Sequence, residues 1–312
     1  MPLPEATANE LTKKGIAFEQ DVPLAKRTYW RAGGNAWGLA AISSLTALQD
    51  TLAICTETGC PVFVLGNGSN LLVSDKGIQG LVLQLRDALA TTETEGESPG
   101  VLKVGAGLKL TVLLARAQRE GWTGLECFAG IPGTIGGAVR MNAGASLGET
   151  QDCLLQVLVV SPTGKTSWIS KADLNMSYRT TILPKGAVIA FALLQTGGKD
   201  PQHSQHVIRE HLKRRKATQP LHLPSCGSTF RNPPGDHAGR LIEAAGLKGK
   251  SCGAAQISPK HANFIVNLGG ATADDIRFLI ETAQKEVLEQ FGVEMEQEVH
   301  FAGDWSHWNA EH

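Results

Sequence analysis

Glycines supply the first candidate for chemistry in this chain. The stretch from Ala129 to Ala145 places glycine at 130, 133, 136, 137 and 144 and proline at 132, with Arg140 as the only charge between Glu126 and Glu149. Repeated glycines cost about 0.5–1 kcal/mol each inside a helix or strand, so the run is expected to be neither a regular helix nor a central strand. Glycine lets a backbone approach a partner closely and turn its N–H groups inward, which suits a diphosphate held by main-chain donors. A set of tight turns between buried strands has the same composition, so both readings stand. A second glycine turn, Gly66-Asn-Gly-Ser-Asn70, follows the short apolar strand Pro61–Leu65, at the kind of strand end where open sheets bind ligands. It is not a dinucleotide fingerprint, because Asn70 leaves Gly66 and Gly68 without a third glycine.

Three polar groups stand apart from the glycines. Arg179 follows Tyr178 between two apolar strands; taken alone, such an arginine reads as a surface ion pair. Ser228 lies in Gly227-Ser-Thr-Phe-Arg-Asn-Pro233 and, on composition, is a turn serine. Near the C-terminus, Glu294, Glu296, Glu298 and His300 alternate with Met295, Gln297, Val299 and Phe301. This period of two puts the glutamates on one solvated strand face and cannot choose among them.

The elements around these residues alternate between strand and helix. Ala36–Ile42 reads as a strand, and Ser43 or Ser44 can cap a helix carrying Leu45, Leu48, Leu52 and Ile54 that stops at Gly59. Strands follow at Leu81–Leu85 and Val101–Val104, with the acidic loop Thr91–Gly100 between them, and then a helix from about Leu108 to Glu120 ended by Gly121. Leu154–Val160 and Val188–Leu194 are further strands. A helix through His206–Lys216, a helix His237–Ala245 and a strand Ala262–Leu268 come next. Thr272 caps a long helix with the apolar stripe Ile276, Leu279, Ile280, Ala283, Val287, Leu288 and Phe291, closed by Gly292. Glu294–Phe301 is the last strand, and the first twenty-odd residues are expected on the surface as a polar segment.

The bulk numbers narrow the class. A chain of 312 residues suits two or three domains, since single cores seldom exceed about 250–300 residues. A formal net charge of −1 gives no electrostatic case for nucleic acid or an anionic membrane. The run Lys213–Lys216 ends a helix, where cations complement the dipole. No signal peptide is expected from the N-terminal residues, and no apolar run reaches the ~20 residues that span a bilayer. The six cysteines form no CxxC pair and no metal-ligand spacing, so no metal is expected and the thiols fit a reducing cytoplasm.

Four motifs in order carry a resemblance: Gly66–Leu72; Gly130–Gly137 with Met141-Asn-Ala-Gly144; Gly227–Pro233; and Glu296-Gln-Glu-Val299. Together with the Tyr178-Arg179 pair, they make the chain similar to the UDP-N-acetylenolpyruvoylglucosamine reductase (UDP-N-acetylmuramate dehydrogenase) family over roughly Arg27 to Phe301. The resemblance implies an α/β fold: a vanillyl-alcohol-oxidase-type FAD-binding region of two α/β lobes plus a C-terminal α/β substrate domain. The implied division is an N-terminal segment 1–26, an FAD-binding domain 27–199, a substrate domain 200–303 and a tail 304–312. FAD would be gripped by Gly66, Asn67, Gly68, Ser69 and Asn70 on one side and by Ile131, Pro132, Gly133, Thr134, Gly136 and Gly137 on the other, with Asn142, Ala143 and Gly144 as the neighbouring wall. Covalently flavinylated relatives use a histidine or cysteine near such loops; no histidine occurs before His203, which favours non-covalent FAD.

The implied reaction reduces the enolpyruvyl ether of UDP-N-acetylglucosamine enolpyruvate to the lactyl ether of UDP-N-acetylmuramate. NADPH is the implied reductant, and a cytoplasmic bacterial monomer is the expected state. Hydride goes to the vinyl carbon farther from the carboxylate, so negative charge spreads into that carboxylate before one proton reaches carbon. The family motifs assign Arg179 to the carboxylate as a fork-shaped, permanently charged donor, and Ser228 to the proton. They select Glu298 among the glutamates, and a neighbouring carboxylate would raise its pKa so that it hydrogen-bonds as the neutral acid. Tyr178, Arg231, Asn232, His261 and Asn263 are the implied substrate contacts. The chain departs from the family pattern in having Arg231 where lysine is commoner, Thr181 for serine and His300 for an arginine.

Overall fold

The computed structural model describes residues 2–94, 100–198 and 200–308. The chain divides into two units, each built from more than one segment. One comprises Met1–Gln20, Gly38–Asn67 and Gly80–Lys213, the other Asp21–Trp37, Gly68–Gln79 and Arg214–His312.

A five-stranded antiparallel sheet organises most of the first unit, in the order Thr166–Ser170, Leu154–Val160, Val188–Gln195, Val101–Gly105, Thr92–Thr94. Val157 stands opposite Ile169 on one side and Ala192 on the other. A four-stranded sheet, ordered Phe18–Pro23, Asn35–Ile42, Ile78–Leu85, Val62–Val64, lies largely in the same unit, and its last two strands run parallel. Helix signals read in the sequence are used as expected. The Ser44 hydroxyl accepts from the Ala47 N–H to start Leu45–Glu57, and Gly121 closes Leu110–Glu120 in the left-handed conformation that a side chain would disfavour.

The second unit packs two helices, Ala238–Ala244 and Ala273–Phe291, with the three-stranded sheet Ser251–Cys252, Ala255–Ile257, Ile265–Asn267. Leu72, Phe230, Leu241, Ile257, Ile265, Leu279 and Val299 share its buried core. Thr272 and Asp275 form a reciprocal capping box on the long helix, and Gly292 ends it with φ +66°. Trp30 is fully buried here, its indole N–H donating to the Ile265 carbonyl at 2.7 Å.

Five expectations need correction. The N-terminal segment is no polar surface strip: Glu5–Lys13 is a helix, and Leu3, Thr7, Leu11 and Ile16 are buried at nearly helical spacing inside a polar composition. The glycine run contains a helix after all, Ile135–Arg140, with Thr134 accepting from the Gly137 N–H as its cap. Gly136 is there for close approach, since a Cβ would come 3.1 Å from the Ala106 Cβ and its own N–H reaches the Ala106 carbonyl at 2.8 Å. The strand expected over Glu294–Phe301 is regular only at His300–Ala302, which pairs parallel with Leu71–Val73; the residues before it pair irregularly with another segment. The strand expected over Ala262–Leu268 is regular only at Ile265–Asn267. Leu288 and Phe291, counted in the apolar stripe of the long helix, are exposed, because the stripe turns away from the core in the last turn. Of the acidic loop, residues 95–99 lie outside the described residues.

Candidate active site

The expected site residues divide between the units. Gly66 and Asn67, the loop Gly130–Gly137, Asn142–Gly144, Tyr178 and Arg179 belong to the first, and Gly68–Asn70, Ser228, Arg231, Asn232, His261, Asn263 and Glu298 to the second.

In the first unit the two glycine turns meet. The Asn67 side-chain amide donates to the Pro132 carbonyl at 2.7 Å, and a Cβ on Gly66 would lie 2.8 Å from the Thr134 hydroxyl. The loop is fixed from behind, with the Leu110 N–H on the Gly133 carbonyl, the Ile135 N–H on the Leu108 carbonyl and the Ile131 N–H on the Phe128 carbonyl. Gly137 faces solvent. The result is a backbone-lined wall in which the side chains of Asn67 and Thr134 hold the main chain.

Downstream, Gly144–Ala145 pairs with Gly148–Glu149 in a tight two-residue hairpin. Asn142 is fully buried in a left-handed conformation, φ +39°. Its amide donates to Glu149 Oε2 and to the Ser177 carbonyl, both at 2.9 Å, while its Oδ1 accepts from the Gln151 N–H. Arg179 is also left-handed, φ +56°, at a hairpin where Ser177 and Thr180 exchange backbone bonds. Non-glycine residues held so are uncommon and persist only where the surroundings impose them. The Arg179 guanidinium donates to the Gly144 carbonyl at 2.8 Å, approaches Glu149 Oε1 at 3.8 Å and stacks on the Tyr178 ring at 4.8 Å. Glu149 was visible in the sequence only as the acidic residue that closes the glycine run.

In the second unit an irregular ladder gathers the motif residues. Gly227, at φ +79°, turns the chain into Ser228. The Thr229 N–H donates to the Asn263 carbonyl and the Thr229 carbonyl accepts from the Glu298 N–H, each at 2.8 Å. One step on, Phe230 bridges Gln297, and the Arg231 N–H donates to the Glu296 carbonyl. Asn70 closes the far side: its amide donates to the Glu298 carbonyl at 3.1 Å and its own carbonyl accepts from the His300 N–H. Ser228 and Glu298 therefore sit on adjacent hydrogen-bonded segments, half-buried, while Glu294, Glu296 and His300 are exposed. Glu298 leaves the solvated face that its alternation suggested. The Arg231 guanidinium pairs with Glu296 at 2.9 Å, a partner that periodicity could not supply.

Two expected substrate contacts have structural work here. The buried Asn263 side chain clamps Phe230 from both sides, with Oδ1 accepting from the Phe230 N–H at 2.9 Å and Nδ2 donating to its carbonyl at 2.8 Å. Asn232 Oδ1 accepts from the Ala238 N–H at the start of helix Ala238–Ala244. His261 packs edge-on to Phe264, its Nδ1 buried without a hydrogen-bond partner among the described residues. Burial pushes its pKa below the ordinary 6.5.

Comparison with known proteins gives the family. Residues 219–302 match the family described as UDP-N-acetylenolpyruvoylglucosamine reductase, C-terminal domain, and residues 38–170 match the FAD binding domain. The UDP-N-acetylenolpyruvoylglucosamine reductase of Anaeromyxobacter sp. (strain K) is 45% identical over 286 residues, 92% of this chain and 86% of the relative. That of Myxococcus xanthus (strain DK1622) is 46% identical over 292 residues, 93% and 94% respectively. The crystal structure of UDP-N-acetylenolpyruvylglucosamine reductase from Thermus caldophilus superposes with a TM-score of 0.79 at 35% identity, covering 92% of this chain and 98% of that one.

Proposed function

The chain belongs to the UDP-N-acetylenolpyruvoylglucosamine reductase family, and from that membership we propose that it reduces UDP-N-acetylglucosamine enolpyruvate to UDP-N-acetylmuramate with NADPH, through non-covalent FAD. It is a flavin-dependent oxidoreductase with an α/β fold. In this reading it acts as a monomer in the bacterial cytoplasm, on the path to peptidoglycan.

The residues present suit FAD. A diphosphate needs donors without bulk, and the glycine turns at Gly66–Asn67 and Gly130–Gly137 would offer it backbone N–H groups, with Gly66 letting the two turns pack where a Cβ would meet the Thr134 hydroxyl. Asn67, Pro132 and Thr134 would hold that wall. The chemistry a bound FAD supplies is acceptance of a hydride equivalent from NADPH and its delivery to the terminal olefin carbon.

The chain's own residues handle the charge and the proton. Arg179 takes the substrate carboxylate, onto which charge moves in the transition state, and its fixed guanidinium needs little reorganisation to receive that charge. Ser228 delivers the proton to the carbon that bears the carboxylate. Glu298 hydrogen-bonds as the neutral acid on the segment next to it, and Tyr178 and Arg231 contact the substrate.

The observation that carries the reading is the ladder that brings Ser228 and Glu298, seventy residues apart in the chain, onto neighbouring segments through the Glu298 N–H to Thr229 carbonyl bond of 2.8 Å. The test is to incubate the purified protein with FAD, NADPH and the enolpyruvyl nucleotide and to read the product by mass spectrometry. A product two hydrogens heavier, formed with loss of NADPH, is expected. Unchanged nucleotide under those conditions overturns the proposal.

A further inference from the structure

Arg179 is held by more than its own sequence neighbours. The hairpin that carries it is tied through the Ser177 carbonyl to Asn142, and Asn142 in turn to Glu149 Oε2. Gln151 Nε2 also donates to that oxygen, at 2.7 Å, and the Glu149 N–H is fixed by Asp152 Oδ2 at 2.8 Å. One carboxylate therefore anchors the Asn142–Gly144 wall and faces the guanidinium at the same time.

Its two oxygens are used differently. Oε2 takes two neutral amide donors at full hydrogen-bond strength and the carboxylate also accepts from the Asp152 N–H, whereas its approach to Arg179, Oε1 to Nη1 at 3.8 Å, is an ionic contact longer than a hydrogen bond. The side chains of Arg179 and Glu149 are only 15% and 25% exposed, so this attraction is screened less than that of a surface pair. A tight bidentate pair would neutralise the guanidinium. The longer contact, with the bond to the Gly144 carbonyl, orients it.

We propose that Glu149 is a positioning residue for the reaction. It presets the Arg179 guanidinium for the substrate carboxylate, and the incoming carboxylate takes the place of Oε1 as the closer anion. The inference rests on the role proposed above for Arg179 and adds to it the residue through which that role is set. Losing Glu149 leaves the cation and removes its orientation, so binding should change less than the rate of the step in which charge moves onto the carboxylate.

The variants are Glu149→Gln, Arg179→Ala and the double substitution, each loaded with FAD and reduced anaerobically. Single-turnover reoxidation by the enolpyruvyl nucleotide gives the rate, and calorimetry gives the affinity for the same nucleotide. Glu149→Gln is expected to slow reoxidation about tenfold or more with affinity kept within threefold, and to have no further effect in the Arg179→Ala background. Equal slowing in both backgrounds overturns the proposal, as does a wild-type rate in Glu149→Gln. So does loss of FAD binding in that variant, which would make Glu149 a support of the wall alone. If the wild-type protein is not reoxidised at all, the failure lies in the proposed function and not in Glu149.

Discussion

A serine hydroxyl is a poor acid, so in the role proposed for Ser228 the surroundings must supply what acidity does not. They do so by fixing the backbone on both flanks, at the Gly227 turn and at Thr229, which is bonded to Asn263 and Glu298. Replacing Ser228 by alanine is expected to slow flavin reoxidation by substrate about 10²–10⁴-fold, the usual worth of a general acid, and to leave flavin reduction by NADPH unchanged. A normal reoxidation rate would remove Ser228 from the chemistry. Glu298→Gln should damage the same half-reaction, since the amide keeps the shape without the acidic proton; full turnover would return Glu298 to a solvated role. At this scale a motif named Glu298 among the glutamates, and it is the half-buried member of an otherwise exposed set. The sequence was silent on Glu149 and on the Arg231–Glu296 pair, because a local pattern carries no information about which distant side chain closes a charge.

Two residues of the second unit, Asn263 and His261, can be tested by stability. Asn263→Ala strips partners from the N–H and the carbonyl of Phe230, whose side chain is almost fully buried. Each unmet buried group costs about 1–3 kcal/mol, so chemical denaturation should show a loss of about 2–6 kcal/mol. A change below half a kcal/mol would contradict the clamp. His261 supplies a pH dependence. Burial holds its folded pKa below the ordinary 6.5, so the unfolded chain takes up the proton first as pH falls. Its contribution to stability is complete above that ordinary value, is lost as pH falls toward the folded pKa, and changes by at most about 1.4 kcal/mol per pH unit between the two. Thermal melts of His261→Gln should therefore decline less on acidification below pH 6.5 than those of the parent; parallel declines would exclude His261 as the source. Elements were legible where their ends are written locally, as with the Thr272–Asp275 box, Gly121 and Gly292. They were misread where a distant partner decides, as with the helix that Gly136 packs against Ala106 and the strand that is regular only beside Leu71–Val73.

Across the whole molecule, the alternation of strand and helix gave the α/β class, while the composition of each unit comes from pairings far apart in the chain. Leu71–Val73 pairs with His300–Ala302, and Gly33, at φ +112°, has no space for a Cβ beside Val73. Residues 304–308 gather beside one cation. Arg277 lies against the rings of Phe301, Trp305 and Trp308 at 5.3, 4.9 and 4.8 Å, and the Trp308 indole N–H donates to Glu281. No periodicity announces such a cluster, since its members belong to a helix, a strand end and a tail.

Transfer of reducing equivalents from NADPH to an enolpyruvyl ether through FAD can be followed by anaerobic absorbance spectroscopy of the flavin-loaded protein. NADPH should bleach the flavin band, and the enolpyruvyl sugar nucleotide, but not a simple alcohol oxidation product, should restore it within one turnover. A flavin band that NADPH leaves untouched, or that stays bleached when the nucleotide is added, would contradict the account.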